Sequence, residues 1–296
     1  MKNVKPGHEQ PIAVLDPGHF GSKYNPGAVP GYFESEQMWK LTQYQKTAME
    51  AYGIKVILTR TQKDQNPDLV KRGKMAAGAD IFESLHSNAC DTERVDRPEG
   101  IYLYDDDCGA IDAQSKEFAA LMAQTVRDCM DTDDPAKIFC RLSGNDRDHD
   151  GKKNDDYYGV LYGCHQAGTA GCITEHSFHT NKAKAAWLMD DANLQKLAQA
   201  KADAYAKWFD LKKPVSKPKV DYADSYNKAK KGTYQVKTNG GVLHLRSGAS
   251  TDHPILEKLE NGSKVQCYGY FTGGWLSVVA PSGKTGFVSE KWLKKV

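Results

Sequence analysis

The chain has 296 residues, 40% hydrophobic and 26% charged, which is typical of a globular protein with a sizeable core and predicts one large domain plus a smaller one. No run approaches the roughly 20 apolar residues of a membrane-spanning helix, so we expect no stable membrane insertion. Residues 212–296 carry 15 Lys and Arg against 6 Asp and Glu, whereas residues 1–211 carry 25 against 32. The basic part either binds a polyanionic surface or is a solvated basic face, and we expect no nucleic-acid partner.

The N-terminus and the cysteines bear on where the protein is made. "MKNVKPGHEQP" has basic residues but no apolar segment behind them, so we expect no secretory signal and synthesis in the cytoplasm. The seven cysteines have no regular spacing and do not indicate a disulfide framework. We expect them to be small buried side chains in a reducing compartment.

Strand-like and helix-like segments alternate in the N-terminal part of the chain. Short apolar runs predict strands at 12–16, 54–60, 80–86, 99–106, 158–163 and 171–175. Helical spacing of apolar residues predicts helices at 36–52, 68–80, 115–130 and 182–210. The alternation predicts an α/β domain over 1–211, with a mixed, mostly parallel sheet flanked by helices. The polar, acidic stretch 131–156 is expected to be a long surface loop.

A second domain follows a lysine-rich segment. Residues 212–232 contain prolines and many lysines without apolar periodicity, which predicts a linker. Residues 233–296 contain short alternating segments separated by turns, such as "VLHLRS", "KVQCYGY" and "WLSVVA". This pattern predicts a small all-β barrel or sandwich.

Three predicted strands end in ionisable residues: "VLDPGH", "ESLHSN" and "ITEH". In parallel α/β sheets the functional loops lie at the carboxyl ends of strands, so His19, His86 and Glu175 could converge. A catalytic zinc has three protein ligands, and Glu34 or Glu36 could add a carboxylate, leaving Glu175 as general base. Each residue also has a simpler explanation, since a strand-end His is often structural and a first-turn Glu often faces the helix dipole.

The motifs "LDPGHFG", "NPGAVPGYFESEQMWKL", "RGKMAAGADIFESLHSNA" and "ITEHSFHTN" occur in the order found in a known family. On these motifs, residues from about 12 to 210 resemble the zinc-dependent N-acetylmuramoyl-L-alanine amidases of type 3. The resemblance implies zinc ligands His19, Glu34 and His86, where the distance to the following "YG" favours Glu34 over the other first-turn glutamate. It implies Glu175 as catalytic base, and hydrolysis of the bond between N-acetylmuramic acid and L-alanine in peptidoglycan.

The C-terminal motifs "LHLRSGAST", "GGWLSV" and "KTGFVSEKWL" resemble the bacterial SH3-like modules attached to cell-wall hydrolases. The resemblance implies a wall-binding domain, and anionic wall polymers could explain its basic charge. Trp275, Tyr270 and Phe271 could stack on a glycan or peptide, although core packing is the favoured role for each. His244 and His253 are expected at the surface.

Two further patterns are weaker. "DRDHDG" at 146–151 begins like a calcium loop, but position 12 is Tyr157 where a bidentate Glu is needed and position 8 is Lys153, so we do not expect calcium. His176 and His179 flank the predicted base and could support the site or contact substrate, although surface positions are the favoured interpretation.

The sequence therefore predicts a peptidoglycan amidase joined by a linker to a wall-binding module. Without an export signal, a phage endolysin is the favoured source: a protein made in the host cytoplasm that lyses a Gram-positive cell after release. Two alternatives remain open, a zinc peptidase acting on wall peptides and a non-catalytic wall-binding protein.

Overall fold

The computed structural model describes residues 1–105, 109–212 and 221–296. The chain divides into two compact units, Met1–Pro214 and Val215–Val296. Within the three described ranges, no helix combines the length and the apolar character needed to cross a membrane. Part of the predicted linker, residues 213–220, lies outside the described residues. The last residue of the predicted strand 99–106 also lies outside them.

A six-stranded sheet forms the centre of the first unit, in the order β2-β1-β3-β6-β4-β5. Its strands are β1 (Ile12–Pro17), β2 (Lys55–Leu58), β3 (Ile81–Asn88), β4 (Glu99–Tyr102), β5 (Lys137–Phe139) and β6 (Gly171–Phe178). The helices are α1 (Glu34–Glu50), α2 (Leu69–Lys74), α3 (Gly109–Met130), α4 (Gly159–Gln166), α5 (Lys182–Met189) and α6 (Asp191–Trp208). Every strand pair is parallel except β4 with β6. The predicted mixed, mostly parallel sheet is therefore confirmed.

The central strands are buried on both faces, as in other helix-covered parallel sheets. Ala13 and Leu15 of β1 point into a cluster with residues of α1, α3 and α6, and Val14 points into a second cluster with residues of α4. Because both faces are covered, only the strand ends remain for solvent-facing chemistry.

Two sequence predictions in this unit are wrong in detail. Residues 158–163 were expected to form a strand but lie mostly in α4, because a six-residue apolar run does not distinguish strand from helix. Helix α4 packs closely on α2 through Gly73 and Gly163, where a Cβ atom would lie 2.1 Å from a backbone oxygen of the opposite helix. The expected loop 131–156 also contains the three-residue edge strand β5, which is too short to show a period.

The second unit is an all-β domain, as predicted. Its eight strands are β7 (Ser225–Tyr226), β8 (Gly232–Val236), β9 (Leu243–Arg246), β10 (Ile255–Leu259), β11 (Lys264–Thr272), β12 (Trp275–Val279), β13 (Thr285–Ser289) and β14 (Leu293–Lys295), and all pairs are antiparallel. Alternate residues such as Val236, Leu245 and Leu276 are fully buried. Strand β7 pairs with β11 although its residues were expected in the linker; two residues carry no detectable periodicity.

The aromatic residues of this domain differ in their environments. Phe271 packs against the core and Trp275 is partly buried, whereas Tyr270 is 51% exposed with its ring centre 5.2 Å from that of Tyr226. Core packing therefore describes Phe271 and not Tyr270. His244 and His253 are half-buried rather than fully at the surface.

Candidate metal centre

The topology brings the predicted site residues to one edge of the sheet. His86 lies in β3 directly beside Glu175 of β6, as Cα partners in the parallel pairing. His19 follows β1, which is the other neighbour of β3, and Glu34 is the first residue of α1. The carboxyl ends of adjacent parallel strands meet at the same edge, which is why residues so far apart in sequence converge.

Three of these side chains form a compact cluster. The Nε2 atom of His19 lies 2.9 Å from Oε2 of Glu34, and Nδ1 of His86 lies 2.9 Å from Oε1 of the same carboxylate. The two imidazole centres are 5.0 Å apart. One ligand atom from each residue lies within 4.8 Å of the others, so the three can share a single ion.

Glu34 and Glu36 face different partners. Glu34 is 1% exposed, and it accepts hydrogen bonds from the Asn25 side chain at 2.8 Å and from the Ser87 backbone N–H at 3.0 Å. Glu36 instead pairs with Lys63, whose Nζ lies 2.8 Å from both carboxylate oxygens. The structure therefore brings Glu34 to the histidines and leaves Glu36 out.

Two buried arginines hold the turn that carries His19. Arg60 donates to the carbonyl oxygen of Gly18 and Arg72 to that of His19, each at 3.2 Å. The backbone of His19 has a φ of +56°. Near the end of β1, the Asp16 carboxylate accepts a hydrogen bond from the Ser84 hydroxyl at 2.7 Å. Sequence reasoning missed these arginines, because a charged residue normally indicates an exposed position.

The electrostatics of the cluster favour a cation. Burial alone would raise the pKa of Glu34, but hydrogen bonds from His19 and His86 hold that pKa well below its usual range. Burial opposes charge on His86, yet its hydrogen bond to Glu34 raises its pKa to about 9. The Glu34 carboxylate thus keeps its charge and favours the protonated form of His86.

Glu175 lines a cleft of about 380 Å³ together with His19 and His86. Its Oε2 atom is buried and has no hydrogen-bond partner among the described residues. Burial raises the pKa of Glu175 to about 8 against the opposing charge of His86, with Glu34 and Glu99 adding to the rise. The cleft walls include apolar surface from Phe20, Tyr24, Leu69 and Tyr158.

His176 and His179 are buried, at 0% and 3% exposure, so the expectation of surface positions is wrong. Ser177 between them has a φ of +60°, which breaks the two-residue alternation on which that expectation depended. His179 Nδ1 lies 2.9 Å from Ser87 Oγ, which also contacts the Tyr32 hydroxyl at 2.6 Å. Both histidines contact β3 beside the proposed ligands, and neither lines the cleft.

The acidic loop holds a second group of carboxylates. One carboxylate oxygen from each of three residues, Asp146, Asp148 and Asp155, lies within 4.8 Å of the others. The third carboxylate belongs to Asp155, whereas a calcium loop would use the residue at position 12. Asp146 and Asp155 are already engaged with backbone N–H groups of the same loop.

Comparison with known proteins extends the likeness beyond the site. A family model described as N-acetylmuramoyl-L-alanine amidase matches residues 13–207, and one described as bacterial SH3 domain matches residues 241–294. The N-acetylmuramoyl-L-alanine amidase AmiC of Neisseria meningitidis is 34% identical over 97 residues, 32% of this chain and 23% of that protein. The probable endopeptidase p60 of Listeria innocua is 41% identical over 51 residues, 17% of this chain and 11% of that protein. The matches thus span less than a quarter of these relatives.

Solved structures share the fold of the first unit. The catalytic domain of CwlV, an N-acetylmuramoyl-L-alanine amidase from Bacillus (Paenibacillus) polymyxa var. colistinus, aligns with a TM-score of 0.55 at 19% identity, covering 69% of this chain and 100% of that one. The amidase AmiC2 of Nostoc punctiforme gives 0.55 at 22% identity, covering 69% and 99%. Because the first family model matches more than half of the sequence, the chain belongs to the N-acetylmuramoyl-L-alanine amidase family of peptidoglycan hydrolases and carries a bacterial SH3 domain.

Proposed function

We propose that this protein hydrolyses the amide bond between N-acetylmuramic acid and L-alanine in peptidoglycan, with zinc held by His19, Glu34 and His86. The observation that carries the proposal is the convergence of these three side chains at a cleft. His19 and His86 line this cleft together with Glu175, whose Oε2 has no hydrogen-bond partner among the described residues. Membership of the amidase family supports the choice of bond.

The donor set fits zinc. Two imidazole nitrogens and one carboxylate oxygen are the ligands of many catalytic zinc sites. Asn25 and the Ser87 N–H hold the Glu34 carboxylate in place, as outer hydrogen bonds do for metal ligands generally. When bound, zinc supplies a Lewis acid that polarises the amide carbonyl and lowers the pKa of water.

Glu175 acts as the general base and general acid of the proposed reaction. Its raised pKa suits a group that takes a proton from the attacking water and then delivers it to the departing amine, which leaves poorly unless protonated. Apolar side chains of the cleft walls offer a surface for the substrate beside Glu175. Both roles need Glu175 to face the reacting amide, as its place in the cleft lining allows.

The SH3 domain is proposed to bind the wall. Its basic charge suits anionic wall polymers, and a tethered binder raises the local concentration of the enzyme on an insoluble substrate. The narrower assignment to a phage endolysin stays a prediction, tested by whether the protein lyses Gram-positive cells when produced inside them with a membrane pore.

Digestion of purified peptidoglycan followed by mass spectrometry tests the reaction. We expect intact stem peptides freed from sugar, loss of activity in Glu175→Gln, and loss of bound zinc in His19→Ala, with Glu36→Gln as the control that retains both. Release of amino acids or cross-link fragments would instead identify a peptidase. Binding to the walls without release of any product would identify a wall-binding protein without catalysis, and digestion by Glu175→Gln at the parental rate would remove Glu175 from the reaction.

A further inference from the structure

A line of buried hydrogen bonds approaches the metal centre from α6. Lys201 Nζ lies 2.7 Å from an oxygen of Glu83 and 2.8 Å from Nε2 of His176. On the other side of its ring, Nδ1 of His176 lies 2.8 Å from the backbone carbonyl oxygen of His86. Glu83, Lys201 and His176 are each 0% exposed. The reaction proposed above uses none of these three side chains.

The contacts define which nitrogen of His176 carries the proton. An ammonium group has donors only, so Nε2 of His176 must accept from Lys201. The hydrogen of the neutral ring is then on Nδ1, which donates to the His86 carbonyl.

The His86 carbonyl and the Ser87 N–H belong to the same peptide group. That N–H donates to Oε1 of Glu34 at 3.0 Å, so the peptide is held by His176 on one side and holds Glu34 on the other. The pairing of β3 with β6 shifts register between His86 and Asn88. This irregularity releases the peptide from the regular ladder and leaves both of its polar groups for side chains.

The ion pair alone does not explain this arrangement. Glu83 also accepts from Gln45 and Tyr205, each at 2.9 Å, and from Thr174, so its charge is stabilised from several directions. Lys201 still directs a second N–H at His176. A positive charge behind the ring strengthens the Nδ1–H donor, and hydrogen bonds in such chains polarise one another.

We propose that His176 and Lys201 are positioning residues for the metal centre, an inference that rests on the zinc site of the proposed function. Through the peptide between His86 and Ser87 they fix Glu34 with Oε1 engaged, so that Oε2 is presented beside His19. Loss of these hydrogen bonds therefore weakens metal binding without changing a group that touches substrate.

Zinc affinity of the full-length protein, measured by competition with a chromogenic chelator, tests the proposal without reference to catalysis. We expect His176→Leu to weaken zinc binding by about 10- to 100-fold, the usual effect of removing an outer partner of a ligand. His176→Asn should recover most of this loss, because an amide nitrogen can replace Nδ1 as donor to the carbonyl. The double variant E83Q/K201M removes both buried charges together and should give an intermediate loss.

Leu197→Ala is the matched control, since Leu197 is fully buried in the apolar core on α6 one turn before Lys201 and has no polar side-chain group that could join these hydrogen bonds. It should lower the melting temperature of the metal-free protein while leaving zinc affinity unchanged. Parental zinc affinity in His176→Leu, or an equal loss in Leu197→Ala, would overturn the positioning role alone. A parent that binds zinc and shows these effects but frees no stem peptides would contradict the proposed function instead. A parent that binds no zinc would overturn both.

Discussion

Replacing Gly18 by alanine should disable the proposed metal centre without changing any proposed ligand. A Cβ atom at Gly18 would lie 2.5 Å from the backbone oxygen of Leu85 and 2.6 Å from Cε1 of His86. The Gly18 N–H already donates to that same oxygen at 2.9 Å, so the two loops cannot separate without losing this bond. The added methyl group must therefore displace the His86 imidazole or the loop that carries His19.

The displacement is large on the scale of metal coordination. Ordinary contacts of a Cβ begin at 3.4 Å, so the shortest contact falls short by about 0.9 Å. Metal–ligand distances tolerate only about 0.2 Å. A misplacement on the order of 1 Å costs about 100-fold in rate where geometry limits catalysis. We expect Gly18→Ala to lose at least this factor in wall hydrolysis and to bind zinc correspondingly weakly.

Zinc competition and turbidity loss of purified walls provide the measurements. Gly144→Ala is the control, because a Cβ there meets nothing within 4 Å and the φ of Gly144 is not positive. If Gly18→Ala binds zinc and clears walls like Gly144→Ala, the steric reasoning about this turn fails.

Three other predictions concern charge and packing. Glu34→Gln should abolish zinc binding that Glu36→Gln retains, as metal analysis would show; equal retention would remove Glu34 from the site. Gly163→Ala should destabilise the fold by about 1–3 kcal/mol in urea relative to Gly144→Ala, because its Cβ would lie 2.1 Å from the Val70 oxygen. Burial, then repulsion from Asp105 and Asp112, raises the pKa of Asp156 to about 8, so the folded state keeps a proton that the unfolded chain releases above about pH 4. The contribution of this group to the free energy of unfolding is present at low pH and falls by about 1.4 kcal/mol per pH unit up to pH 8. Asp156→Asn should therefore raise the melting temperature more at pH 8 than at pH 5. An equal gain at both pH values would refute this.

The layout of the fold and the place of its site could be predicted from the sequence for a physical reason. Apolar runs ending in His19, His86 and Glu175 predict parallel strands with chemistry at their carboxyl ends, and the sheet order makes those strands neighbours. Periodicity alone left Glu34 and Glu36 equivalent, since both occupy the first turn of α1. The family resemblance separated them before the structure showed Lys63 beside Glu36.

The supporting groups could not be predicted in the same way. Arg60, Arg72, Lys201 and Glu83 are charged residues buried by contacts across the sheet, and hydrophobic patterning assigns such residues to the surface. His176 was misassigned because an irregular backbone at Ser177 interrupts the alternation of β6. These residues depend on partners many positions away, which a local pattern does not contain.

The two buried guanidinium groups fix the turn of His19 through its own carbonyl oxygens. The proposed metal site should therefore form when the chain folds, before an ion binds. Chelation should therefore strip the enzyme reversibly, leaving a folded apoprotein that regains activity as soon as a suitable cation is returned, and different divalent ions can be compared in one unchanged scaffold.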